Sequence, residues 1–123
     1  NSGDGMGSGN EMNTKYRATF VVPLGAQRML GDVGWEFFSR NRIAQEIVDN
    51  LITELALVES NTSLGMQEFI GEYAKATVLR DEQGQAETIY LRAYGDRDIH
   101  SELLRALSLL RDGGAVEVFS PSR

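Results

Sequence analysis

The sequence predicts an α+β domain of the ferredoxin-like βαββαβ kind: a two-layer sandwich in which a four-stranded antiparallel sheet carries two helices on one face. Three observations point there. Residues 41–59 and 99–111 repeat apolar side chains at helical spacing. Residues 16–23, 69–80, 87–94 and 115–120 are rich in strand-forming residues and bounded by turn residues. The resulting order, strand–helix–strand–strand–helix–strand, satisfies the right-handed crossover rule twice.

The elements follow in chain order. Residues 1–13 are Gly/Ser/Asn-rich with almost no large apolar group, so they cannot repay their ordering entropy and read as a flexible arm. Part of the arm has the composition of an expression leader, and Met12 is a candidate native start. The remainder, 14–123, is expected to be a single domain. In 16–23, Phe20, Val21 and Val22 favour a strand, and Pro23 ends the ladder because it has no N–H to donate. Residues 24–40 are punctuated by Gly25, Gly31 and Gly34 yet contain Met29, Leu30, Val33, Trp35, Phe37 and Phe38. Such a stretch is too apolar for a free loop, and it is expected to pack on the core, with a short helix from Trp35. In 41–59, Ile43, Ala44, Ile47, Val48, Leu51, Ile52 and Leu55 form one stripe, and the turn cluster 61–65 stops the helix.

Two strands are expected next, 69–80 with a bulge at Gly71 and 87–94, joined by Asp81-Glu82-Gln83-Gly84 with Gly84 at positive φ. In 87–94, Ile89, Leu91 and Ala93 share one face, and Thr88, Tyr90, Arg92 and Tyr94 the other. Asp98 is a natural N-cap for the second helix, and Gly113-Gly114 its stop. In the last strand Val116 and Val118 alternate with Glu117 and Phe119.

Charge limits the partners. Lys plus Arg is 12 against 18 for Asp plus Glu, a net −6, which disfavours phosphate backbones and anionic membrane surfaces. Residues 43–74 contain no Lys or Arg, so they present either a solvated acidic face or a docking surface for a basic partner. The strand order is shared with RNA-recognition sheets, but the basic–glycine–aromatic signature run is missing. No apolar run reaches the length of a membrane span, and no signal-peptide pattern opens the chain. Cysteine is absent, which excludes disulfides and a thiol nucleophile, and a cytoplasmic location is expected.

The sheet face away from the helices would carry Tyr90, Arg92, Tyr94 and Phe119, types enriched at interfaces. Such a face marks a binding or self-association surface, and a second copy of the chain is the expected occupant. Trp35-Glu36-Phe37-Phe38 reads as core or as the lining of a pocket at the sheet edge. Asp96, Asp98, His100 and Glu102 are the only dense set of metal-capable side chains. Their position at a helix start is explained more simply by capping, so no metal or other cofactor is expected. The glycines after the first strand lack a phosphate-loop motif and read as turn residues, the alternative being a small anionic ligand held by backbone N–H groups with Arg28, Arg40 or Arg42 nearby.

The leading expectation is a non-enzymatic binding module that forms a homodimer through its open sheet face. One alternative is a small cofactor-free enzyme with an apolar pocket between sheets, where Tyr90, Arg92 or His100 orients a substrate. Another is a regulatory small-molecule-binding domain. The candidate residues are Tyr90, Arg92, Tyr94, Phe119, Trp35 and His100.

Overall fold

The structure, a computed structural model, describes residues 16–32, 34–63, 65–95, 97–111 and 113–121. The expected arm, 1–13, lies outside the described residues, as do Val33 and Asp96. Eight strands occur: β1 (Tyr16–Pro23), β2 (Gln27–Gly31), β3 (Gly34–Phe38), β4 (Val58–Ser63), β5 (Met66–Ile70), β6 (Ala74–Arg80), β7 (Ala86–Tyr94) and β8 (Val116–Phe119). Helix α1 spans Gln45–Glu54 and α2 spans Ile99–Ser108. The main sheet is antiparallel and six-stranded, ordered β4-β5-β6-β7-β1-β8, and β2 pairs with β3 in a separate two-stranded sheet.

The four-stranded ferredoxin-like sandwich is therefore not the fold. Two segments overturn it. Residues 24–40 are not an apolar loop with a helix from Trp35 but the β2–β3 hairpin, in which Gly31 pairs with Gly34 and Gly34 takes φ +122°. Residues 58–80 contribute three strands where one was expected. Gly71 is not a bulge: it opens the tight β5–β6 turn, where its N–H donates to the Ala74 carbonyl at 2.9 Å. A Cβ there would lie 2.6 Å from Leu57 Cδ2 and 3.3 Å from the Ala56 carbonyl oxygen, so the 56–57 segment approaches closely and a larger residue would displace the Leu57 side chain. The sheet's bulges fall instead at Glu59/Asn61 and Leu79/Arg80.

The first helix is shorter than the expected 41–59. Its end is a Schellman motif: the Leu57 N–H donates to the Ile52 carbonyl at 3.0 Å and the Ala56 N–H to Thr53 at 3.1 Å, with Ala56 at φ 56°. Leu57 is buried in the helix-side core. Residues before the helix are extended, and the Ile43 N–H donates to the Ala86 carbonyl at 2.8 Å, tying the helix entry to β7. In α2, Asp98 caps as its position predicts, accepting from the Ser101 N–H at 3.2 Å and its hydroxyl at 2.8 Å.

The chain builds two cores, one on each side of the main sheet. On the helix side, Ile47, Val48 and Leu51 of α1 and Leu103 and Leu107 of α2 meet Val21, Ala76, Val78, Ile89, Leu91 and Val116. Full burial of each large aliphatic side chain stabilises by roughly 1.5–3 kcal/mol, so this side holds most of the fold's stability. Strand alternation sends Phe20, Val22, Tyr90 and Phe119 to the other side. There they meet Trp35 and Phe37 of the hairpin together with Ala26. No described helix is long and apolar enough to cross a membrane.

Candidate functional site

The β2–β3 hairpin is the device that turns a flat sheet face into a concave one. It leaves β1 through a turn in which the Ala26 N–H donates to the Pro23 carbonyl at 3.0 Å, with Gly25 at φ 82°. Glu117 of β8 pins this corner. Its carboxylate accepts from the Gly25 N–H at 2.9 Å and forms an ion pair with Arg28, whose guanidinium lies 4.5 Å from the Phe119 ring centre. Trp35 and Phe37, two residues apart on β3, point down onto the sheet because side chains alternate along a strand. Trp35 meets Phe119 edge-on at 5.0 Å, and Phe37 lies 4.8 Å from Phe20. Phe20 in turn stacks on Tyr90 at 4.9 Å with 14° between the rings. Such pairs add about 0.5–1.5 kcal/mol each beyond area burial.

Between hairpin and sheet a cleft of about 420 Å³ remains. Phe20, Leu79 and Thr88 belong to its sheet side, Pro23 and Ala26 to one end, and Trp35, Glu36, Phe37, Phe38 and Ser39 to the hairpin side. Arg42 and Glu87 stand at its rim, 3.4 Å apart. Arg42 is fixed by more than Glu87. Its Nε donates to Asp81 at 2.9 Å, and its Nη1 donates to the backbone carbonyls of Ser39 and Asn41, both at 2.9 Å. The guanidinium and the Gln85 and Gln83 N–H groups hold the Asp81 carboxyl below the usual carboxylate range. The rim is thus a fixed ion-pair cluster, while Glu36 forms no ion pair among the described residues.

The sheet separates the residues singled out from the sequence. Trp35 lines the cleft, and Tyr90 and Phe119 pack against the rings that form it. Arg92 places its guanidinium 5.4 Å from the Tyr90 ring centre, on the same side. Tyr94 is at the end of β7 and 40% exposed. His100 is elsewhere: on α2, across the sheet, with Nδ1 2.7 Å from the Ser120 hydroxyl, which lies 2.9 Å from Thr19 Oγ1. Asp98 is occupied in capping, and Glu102 in a bidentate pair with Arg97, both bonds 2.7 Å. Arg97 pulls the Glu102 carboxyl down, and Glu102 raises Arg97. Among the described residues no three His, Asp or Glu side chains gather as a metal site would require.

Sequence reasoning missed Leu79, Glu87 and Ser120, and the ion pairs of Arg42. Thr88 and Leu79 are cross-strand partners, and their shared face follows only once the register is known. The ion pairs carried no local signal, since the carboxylate partners of Arg42 are 39 and 45 residues away in the chain. Comparison with protein-family models, with curated proteins and with solved structures finds no match to this chain.

Proposed function

We propose that this protein is a non-catalytic binding module that takes a small, largely apolar molecule into the cleft between the β2–β3 hairpin and the main sheet. The observation that carries this reading is the aromatic-walled cleft of about 420 Å³, of the size and composition typical of small-molecule sites. Its polar residues are few: Ser39, Thr88, Glu36, Glu87 and the fixed Arg42. The chain's one histidine faces the helix side, so it cannot act as a base on a molecule held here. Titration of the isotope-labelled protein with indole and with cyclohexanol tests the reading. The Trp35 indole N–H and Thr88 amide signals should move together and saturate. Shifts confined to the helix side, or none with either molecule, would remove the reading.

A second reading, self-association as a homodimer, rests on a different surface. On the same side of the sheet as the hairpin, but beyond the residues it packs against, β4 and β5 present Val58, Met66 and Ile70, between 40% and 66% exposed. Glu68 and Lys75 also sit on this side, on neighbouring strands. A two-fold arrangement can set the Glu68 of one copy against the Lys75 of its partner. Ile70→Lys should then abolish dimers in light scattering with the fold unchanged. A strict monomer of the unaltered chain at high micromolar concentration would end this reading.

A further inference from the structure

We infer that the molecule the cleft selects is an uncharged ring compound carrying one hydroxyl group, which bonds to Thr88. This rests on the cleft being a binding site and adds the chemistry of its ligand.

The lining is apolar except at a few points, and all but one of those are engaged elsewhere. Arg42 and Glu87 neutralise each other at the rim, and Asp81 holds Arg42 further. Glu36 turns away: its carboxylate lies beside Gly31, on the hairpin face opposite to the one that carries Trp35 and Phe37. The Ser39 hydroxyl oxygen accepts from the Asn41 N–H at 3.0 Å. An ion of either sign would therefore give up water and find no counter-charge left for it. Thr88 is different. It is only 6% exposed, stands on the hairpin side of β7 beside Leu79, and lines the cleft. Among the described residues nothing hydrogen-bonds to its hydroxyl, whereas the buried Thr19 meets the Ser120 hydroxyl at 2.9 Å. A buried hydroxyl without a partner is destabilising, so it favours whatever supplies one. A ring among Phe20, Trp35, Phe37 and Leu79 with its hydroxyl on Thr88 fills the apolar walls and completes that bond.

Benzyl alcohol, ethylbenzene, benzylammonium and benzoate present one ring with different heads, and the Trp35 indole signal reports the binding of each. Benzyl alcohol should bind at least about tenfold more tightly than either ion. Thr88→Val removes the hydroxyl and keeps the side chain's shape. It should weaken benzyl alcohol and strengthen ethylbenzene, lowering their affinity ratio about tenfold, the scale of one hydrogen bond, without lowering the thermal midpoint. Thr88→Ser should keep the ratio within about twofold. Thr77→Val, at a buried threonine on the same side of the sheet but outside the lining, should leave the ratio unchanged. A ratio that Thr88→Val does not move, or that Thr77→Val moves as far, would overturn the hydroxyl assignment. So would a fall in the thermal midpoint of Thr88→Val, because it would mean that the hydroxyl is bonded within the protein. An ion that binds as tightly as benzyl alcohol would overturn the uncharged ligand. In each of these cases the cleft remains a site. Silence of all four probes would also overturn the assignment where indole or cyclohexanol binds. If those two are silent as well, the cleft reading falls with it.

Discussion

Replacing Phe37 with alanine should lift the β2–β3 hairpin from the sheet while the helix-side core stays folded. A fully buried phenylalanine truncated to alanine costs about 3–5 kcal/mol. Phe37 is half-buried, with its ring 4.8 Å from Phe20 and 6.0 Å from Phe119, so about 2 kcal/mol is the appropriate scale. That loss falls on the hairpin's attachment, because Phe37 belongs to the aromatic cluster and not to the core beneath the helices. A 2 kcal/mol change raises the population of the detached hairpin roughly thirtyfold. The chain carries its own reporter: its single tryptophan, Trp35, sits on β3. In urea, Trp35 emission of the variant should shift to the red well before the far-ultraviolet circular dichroism falls, whereas the unaltered protein should lose both signals closer together. A variant in which both probes move together, displaced by the full 2 kcal/mol, would mean that hairpin and core are one cooperative unit and that the two-core account is wrong. No displacement of either probe would mean that Phe37 does not hold the hairpin.

Three further outcomes follow from local geometry. Ala56→Gly should raise stability by about 0.5–1 kcal/mol in urea denaturation, because Ala56 ends α1 at φ 56° where an L side chain is strained; a loss of stability would contradict the Schellman assignment. Gly113→Ala should cost about 3 kcal/mol or prevent folding, since a Cβ there would lie 1.9 Å from the Leu107 carbonyl oxygen, and a thermal midpoint equal to that of the unaltered protein would exclude that contact. The depressed Glu102 carboxyl contributes stability that is complete above its unfolded pKa of about 4.3 and is lost as pH falls through the lower folded value. Glu102→Gln should therefore flatten the fall in thermal midpoint between about pH 5 and pH 3 and cost about 0.5–1 kcal/mol at pH 7, the scale of a partly exposed bidentate pair; parallel profiles would deny the Arg97–Glu102 bond that role.

What the sequence revealed depended on whether an element buries one face. Helices α1 and α2 and strands β1, β7 and β8 lay where their apolar stripes or alternation indicated, because each sets one side against the helix-side core. The split of β7 into Ile89, Leu91 and Ala93 on one face and Thr88, Tyr90 and Arg92 on the other is the same rule at work. Strand β4 was illegible because Val58-Glu-Ser-Asn-Thr-Ser is exposed along its whole length and has no apolar period to read. The end of α1 was misplaced because its left-handed residue is Ala56, not the glycine that normally marks such a stop. The hairpin did leave a trace: Trp35 and Phe37 alternate with Glu36, and Gly31 and Gly34 bracket a two-residue connection. Read for its glycines, that stretch looked like a loop; read for its period, it is a strand pair. The cleft was out of reach either way, since it exists only where the hairpin meets strands some fifty residues downstream, at Leu79, Glu87 and Thr88.

The seat of the hairpin on the sheet can be observed by nuclear Overhauser spectroscopy of the aromatic protons. With ring centres 5.0 Å apart for Trp35 and Phe119 and 4.8 Å for Phe20 and Phe37, strong cross-peaks should join the indole to the Phe119 ring and the two phenylalanine rings to each other. An indole at random-coil shift with no cross-peak to Phe119 would place the hairpin in solvent, and the cleft would not exist.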